Sequence, residues 1–559
     1  MVGWTSREWC CCVSLSNTRW TTRLTGSRKR IYFDGFLPPA KLNTRLKRLE
    51  AQTRQSIDYY NAHPIPCRAS SKTSENASPS LFSSQAPRPA LTNLPAPPFL
   101  VPAILEALQI SEFYTAITEI VPGEADLYCA RFLKEHGGVV FTGDSDLLVH
   151  DLGPNGAVTF FKDIEVTPDD KAGALHSQIY HPAAIVDRLC LPNSHGLQAL
   201  AFEMIIDSHG TFPKLLAQAT TLKAIKKHEK MYQDFCKEYM PLNAEIEGLG
   251  PESSIFQALD PRISEILLQF PSLAKLAGQD PAAGNPSQDT PHMFLPFLLD
   301  CPVRTSAWEL STSVRQLAYG LVNLIVPEDQ RRFTVYEHRR QQKNSSGREW
   351  QLPSISEIPE ACMGVVNLLT RLEEKLHKVL KGDSWLAVAM CQDVEWAYSL
   401  DKTPLICLVM EQLFDLRDST KYHKNYSWDI IQFLAQIQGS YYSFRILKQI
   451  ISFLIAQHDN NLLPKAIRLL HRRLESLRGF CDVPDLNHMV SLYEKIERNG
   501  ILKMAHEVLE IEEPASVEPI EASIKSPRKK GKRKGFMASI EPSTSKKNSR
   551  NPFELLRHE

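Results

Sequence analysis

A chain of 559 residues is too long for one hydrophobic core, because single cores seldom grow past about 250 to 300 residues, so several folding units are expected. The 64 basic and 64 acidic side chains balance, which argues against a general polyanion binder and leaves any nucleic-acid surface local. The 12 cysteines include no C-x-x-C pair and no regular framework, which argues against zinc-knuckle and disulfide-scaffold classes and implies reduced thiols in the cytosol or nucleus.

Residues 1–28 show no coherent period, with Trp4, Trp9, Trp20 and the triplet Cys10, Cys11, Cys12 crowded together. Their arginines accompany neither an apolar signal core nor an amphipathic repeat. This segment reads as an atypical N-terminal stretch. From Ile31 to Gly35 the pattern becomes a short β-type run closing on Asp34-Gly35, followed by Pro38-Pro39 and a basic helical stretch from Lys41 to Thr53. Residues 64–99 are rich in Pro, Ser and Ala and have no apolar face to offset the entropy of ordering, which predicts a flexible insert. A helix is predicted from Phe99 to Leu108, an extended run from Phe113 to Val121, a helix from Glu124 to Lys134 and a strand from Val139 to Thr142. Strand, helix, strand at this spacing is a βαβ unit, which predicts an α/β domain with a parallel central sheet.

Beyond about residue 180 the chain reads as almost wholly helical. Val365, Leu368, Leu369, Leu372, Leu376, Val379 and Leu380 form one stripe, and similar patterns cover 403–415, 428–457, 463–478 and 485–497. Residues 278–292 and 340–358 read as polar loops. The most apolar run, Ile450 to Ile455, is far shorter than the roughly 18 to 20 residues of a membrane helix, so no membrane association is expected. The expected organisation is 1–28 atypical, 29–215 an α/β domain, 216–511 a mostly α-helical C-terminal domain suited to protein partners, and 512–559 a disordered basic tail. Within that tail, Lys525 to Lys534 is a dense basic run of the nuclear-import kind, which predicts a nuclear protein.

Carboxylates punctuate the α/β region: Asp34 closes the first strand, Glu124-Ala125-Asp126 opens a helix, and Asp144-Ser145-Asp146 follows the strand that ends at Thr142. In open parallel sheets, functional groups gather at the carboxyl ends of strands, so acids far apart in sequence can converge there. Crowded carboxylates resist ionisation unless cations neutralise them, and hard oxygen donors suit Mg²⁺ or Mn²⁺ rather than zinc. Two such ions could activate a water and stabilise the leaving oxygen of a phosphodiester. Each acidic pair taken alone has a plainer reading, as a helix N-terminal charge or as turn residues.

The order of these motifs resembles the flap-endonuclease and XPG superfamily. The matching residues are Tyr32-Phe33-Asp34-Gly35, then Val121-Pro122-Gly123-Glu124-Ala125-Asp126, then Thr142-Gly143-Asp144-Ser145-Asp146-Leu147. Asp126, where flap endonucleases usually carry Glu, looks more like the asteroid-like branch. The resemblance implies a PIN-like fold and a metal-dependent nuclease acting on DNA or RNA, with two Mg²⁺ or Mn²⁺ ions. It makes Asp34, Glu124, Asp126, Asp144 and Asp146 metal ligands and Lys41 and Arg48 phosphate contacts. Asp207 would be the family's last carboxylate, although its usual Gly-(Ser or Asn)-Asp setting is missing and an ordinary helix C-terminal Asp is an equal reading.

The sequence departs from the family before Asp34. No aspartate precedes it, so the family's first strand and its metal ligand are expected to be lacking, either through a wrong start or through loss of a catalytic group. Two functional classes follow: an active Mg²⁺-dependent nuclease, or a PIN-like scaffold with weakened catalysis that binds nucleic acid or protein.

Overall fold

The computed structural model describes residues 29–38, 41–68, 94, 97–166, 175–240, 256, 258–277, 290–340, 347–376, 384–418, 425–457, 463–477, 479–480, 483 and 500–510. The atypical stretch 1–28, most of the insert 64–99, the expected helix 485–497 and the basic tail lie outside the described residues. The described chain divides into two compact units, one built from residues 29–129 and 256–510, the other from 130–240.

The first unit opens with strand β1 (Ile31–Asp34), helix α1 (Leu42–Ala62), helix α2 (Leu100–Ile110) and strand β2 (Thr118–Val121). The extended run expected from Phe113 is therefore shorter: Thr115–Ile117 is a 3₁₀ turn, and Phe113 is 80% exposed, so it has no sheet neighbour to pack on. β1 and β2 are parallel and in register from Ile31↔Thr118 to Asp34↔Val121, so both strands end at the same edge. Helix α3 (Ala125–His136) carries the chain into the second unit.

There, strands β3 (Gly138–Thr142) and β4 (Gly156–Phe160) form a second parallel pair. β4 is buried along its whole length. β3 leaves Phe141 half exposed and is paired on one side among the described residues. Helices α4 (Pro182–Arg188), α5 (Gly196–Ile206), α6 (Phe212–Thr221), α7 (Lys223–Lys227) and α8 (Glu229–Lys237) complete this unit. Phe202 on α5 meets Tyr232 and Phe235 on α8 with ring centroids 5.1 and 5.5 Å apart, which seals the helices together.

Of the parallel central sheet expected from the sequence, the described residues show two two-stranded parallel ladders, and no described strand bonds to both pairs. The first unit's later half, expected to be mostly helical, also contains strands. After α9 (Pro261–Leu267) and α10 (Pro271–Leu276), strand β5 (His292–Phe294), helix α11 (Thr312–Val322), β6 (Thr334–His338) and β7 (Arg348–Gln351) appear, and the three strands form one mixed sheet in the order β7-β6-β5. β7 falls within the expected loop 340–358.

The rest of this unit is helical: α12 (Ile358–Leu376), α13 (Ser384–Tyr398), α14 (Leu405–Asp418), α15 (Trp428–Gln457), α16 (Lys465–Leu474) and α17 (Gly500–Leu509). α15 is apolar around much of its circumference, and it is buried accordingly, from Ile430 through Phe444 to Leu454, as the central rod of the core. The sheet is locked to this rod through charge. Arg315 on α11 donates from Nε and Nη2 to Glu337 on β6 at 2.6 and 3.0 Å, and from Nη1 to Ser443 on α15 at 2.9 Å. Tyr319 adds a third donor to Glu337 at 2.9 Å, so the fully buried carboxylate is compensated. No helix among the described residues is long and apolar enough to cross a membrane.

Candidate functional site

Register creates the first acidic group. Because β1 and β2 run parallel and end together, Asp34 and the loop Pro122-Gly123-Glu124 leave the ladder at one edge. The chain passes close here: Gly35 N donates to Val121 O at 2.8 Å, and a Cβ on Gly35 would lie 2.3 Å from that same oxygen. Only glycine tolerates this approach. Asp34 Oδ1 then accepts from Ala125 N at 2.7 Å, so a strand-end carboxylate caps the first turn of a helix 91 residues downstream.

Glu124 Oε1 lies 2.6 Å from Lys41 Nζ, at the start of α1. Asp126 sits in the first turn of α3, with Cys129 one turn further on. The Cys129 thiol is pushed up to about 12, mostly by burial and then by the charges of Asp126 and Asp34. Asp34, Glu124 and Asp126 are thus brought to one edge, with Lys41 beside them.

α1 distributes its cations unevenly. Arg45 turns inward, ion-paired with buried Glu265 and stacked 3.7 Å over Phe294, while Arg48 is exposed. Burial lowers the Arg45 pKa despite Glu265 beside it.

In the second unit, Asp144 and Asp146 are exposed in the turn that ends β3. Asp144 Oδ1 accepts from Asp146 N at 3.1 Å, while Asp144 N donates to Thr142 Oγ1 at 2.9 Å. The Asp-x-Asp spacing therefore builds its own side-chain-closed turn. Asp207 caps the C-terminal end of α5 and holds Lys214 at 2.7 Å, and this bond to the ammonium is the main cause of its lowered pKa.

The six expected metal ligands therefore divide between the units: Asp34, Glu124 and Asp126 in the first, Asp144, Asp146 and Asp207 in the second. Their all-oxygen chemistry suits a hard divalent cation in kind. Among the described residues no group of three or more His, Cys, Asp or Glu side chains is arranged to hold a metal ion. Two contacts were not legible in advance, the Asp34 cap on α3 and the Lys41–Glu124 pair. A hint lay in the Asp-Gly closing β1 and in Lys41 at the head of a basic helix.

Residues 96–352 match a family model described as "XPG domain containing". That span includes Glu124, Asp126, Asp144, Asp146 and Asp207, and begins after Asp34, Lys41 and Arg48. No curated protein and no solved structure matches the chain. The chain is similar to that family over the stretch matched, which is less than half of its length.

Proposed function

We propose that this chain is a nuclease-family protein that hydrolyses nucleic-acid phosphodiesters with Mg²⁺ or Mn²⁺, and that it belongs to the asteroid-like branch. The observation that carries the reading is the gathering of Asp34, Glu124 and Asp126 at the carboxyl edge of a parallel strand pair, within an XPG-type scaffold. Asp34, Glu124 and Asp126 are the proposed cation ligands of the first unit, and Asp144, Asp146 and Asp207 are proposed as ligands within the second. A bound ion supplies charge neutralisation at the phosphate. Lys41 and Arg48 are the proposed phosphate contacts; they orient a substrate without reading its sequence. The basic run from Lys525 to Lys534 is proposed to direct the protein to the nucleus, and the helical region to carry protein contacts.

The test incubates the purified full chain with single-stranded and branched DNA and RNA in Mg²⁺ or Mn²⁺, beside Asp34→Asn, Asp144→Ala and Asp146→Ala. Metal-dependent cleavage lost in the variants supports the enzyme. Cleavage that survives all three substitutions assigns the activity elsewhere.

A second reading, a scaffold with weakened catalysis, is favoured by two contacts. Lys41 already neutralises Glu124, and one oxygen of Asp34 is committed to the α3 amide. Its signature is nucleic-acid binding without cleavage and without Mn²⁺ uptake.

A further inference from the structure

The second unit pairs its lysines with carboxylates in three places: Lys134 with Asp151, Lys214 with Asp207 and Lys237 with Asp234, all at 2.6 to 2.7 Å. On α7 the pattern breaks. Lys223, Lys226 and Lys227 are all exposed, and none makes an ion pair among the described residues. They stand at i, i+3 and i+4, which puts them on one face within about 6 Å of helix axis, where like charges repel. Lys230, also exposed, lies beyond the break at His228 in the first turn of α8, where Asp234 is among its charged neighbours.

The fold holds this face outward. Leu222, in the left-handed region at φ 54°, turns the chain from α6 into α7. Ala224 and Ile225 are buried on the opposite side, and buried Glu203 accepts from Ala224 N at 2.9 Å. A short helix of three uncompensated ammonium groups is thereby fixed against the core by its two apolar residues and one buried acid. Repulsion along such a ridge is relieved by a partner that presents several negative charges in a row. A nucleic-acid strand does so, with one phosphate per about 3.4 Å.

We propose that Lys223, Lys226 and Lys227 form a phosphate-tracking ridge that grips the backbone of nucleic acid independently of sequence and of metal. The proposal rests on the nucleic-acid reading above and adds to it three lysines that are not among the expected carboxylate and phosphate-contact residues.

The experiment measures binding of the full chain to a fluorescent duplex DNA of about 20 base pairs, in EDTA, between about 50 and 200 mM salt. The triple charge reversal Lys223→Glu, Lys226→Glu, Lys227→Glu is expected to weaken binding at least about tenfold. It should also lower the slope of log Kd against log salt by about 2 to 3, since each phosphate contact contributes about 0.9. The matching triple Lys→Arg variant keeps the affinity within about twofold, which separates charge from folding. An unchanged slope in the Glu variant overturns the proposal, as does a wild-type chain that binds phosphatidylserine vesicles but no duplex. Binding is read without a divalent ion, so it is scored separately from cleavage. A variant that loses cleavage but keeps the slope therefore bears on catalysis alone.

Discussion

The tightest geometric requirement in the first acidic motif is at Gly35, and Gly35→Ala tests it. The added methyl would lie 2.3 Å from Val121 O, 2.7 Å from Ile120 Cγ2 and 3.1 Å from Ser264 Oγ. The first of these is a backbone atom in the partner strand, so relief requires β1 and β2 to separate, and separation breaks the 2.8 Å bond from Gly35 N to Val121 O. Overpacking costs about 1 to 3 kcal/mol and the lost hydrogen bond about 1 kcal/mol. Reduced freedom of the unfolded chain returns about 0.4 to 1 kcal/mol, leaving a net loss of about 2 kcal/mol. Gly143, in the second acidic motif, is the matched control, because a Cβ there meets nothing within 4 Å and its backbone is not left-handed. Gly143→Ala should be neutral or slightly stabilising. The assay is hydrogen–deuterium exchange of peptides spanning β1 and β2. A loss of about 2 kcal/mol speeds their exchange roughly 30-fold in Gly35→Ala, while β3 peptides of Gly143→Ala should stay within about threefold. Equal behaviour of the two variants would refute the argument that close backbone approach, rather than glycine content, defines the first motif.

Three further outcomes are expected. Lys41→Met removes a partly exposed ion pair, so stability should change by no more than about 1 kcal/mol, while Mn²⁺ affinity measured by calorimetry rises several-fold as Glu124 loses its competing cation; unchanged affinity would place the ion elsewhere. Glu337→Gln leaves Arg315 buried without its counter-charge and should cost about 3 to 5 kcal/mol by denaturant titration, and a loss below about 1 kcal/mol would show that the network is dispensable. Asp393 is buried on α13, which raises its pKa to about 7 although its carboxylate accepts from Ile406 N at 2.8 Å. The folded state therefore favours the neutral acid. Its contribution is fully present below the unfolded value near 3.8 and is lost as pH rises to about 7, by on the order of 4 kcal/mol. Asp393→Asn should flatten the stability profile across that window, and an unaltered profile would put the titration on another group.

Elements governed by local pattern were legible in the sequence. β1, α2, α3 and β3 appear within about two residues of their expected bounds, because each has an unbroken apolar run or a helical stripe, and β1, α3 and β3 run directly into a glycine. β6 was not, and the reason is visible in its inward positions. Val335 and Glu337 both face the core, so the alternation that marks a strand is disguised by a buried charge that only Arg315, 22 residues earlier, makes tolerable. The extended run from Phe113 failed for the opposite reason: its residue types favour a strand, but only Thr118–Val121 has a partner to bond. At the site, sequence order identified the carboxylates, while what each touches depends on contacts across 91 residues for Asp34 and across the head of α1 for Glu124.

Those contacts bear on how the carboxylates should be questioned. Asp34 accepts from Ala125 N, and Asp144 accepts from Asp146 N, so in both motifs one oxygen already satisfies a backbone donor. An ionised carboxylate has two oxygens and about four lone-pair sites, so this structural duty leaves capacity for a second one. Alanine at either position removes both duties at once, and the lost cap or turn costs about 0.5 to 2 kcal/mol on its own. Asparagine keeps an acceptor oxygen for the amide and removes the charge. Loss of function in the alanine variants alone therefore speaks for the fold, and only loss in the asparagine variants, with exchange protection of α3 and of the 144–148 turn preserved, speaks for chemistry done by the charge.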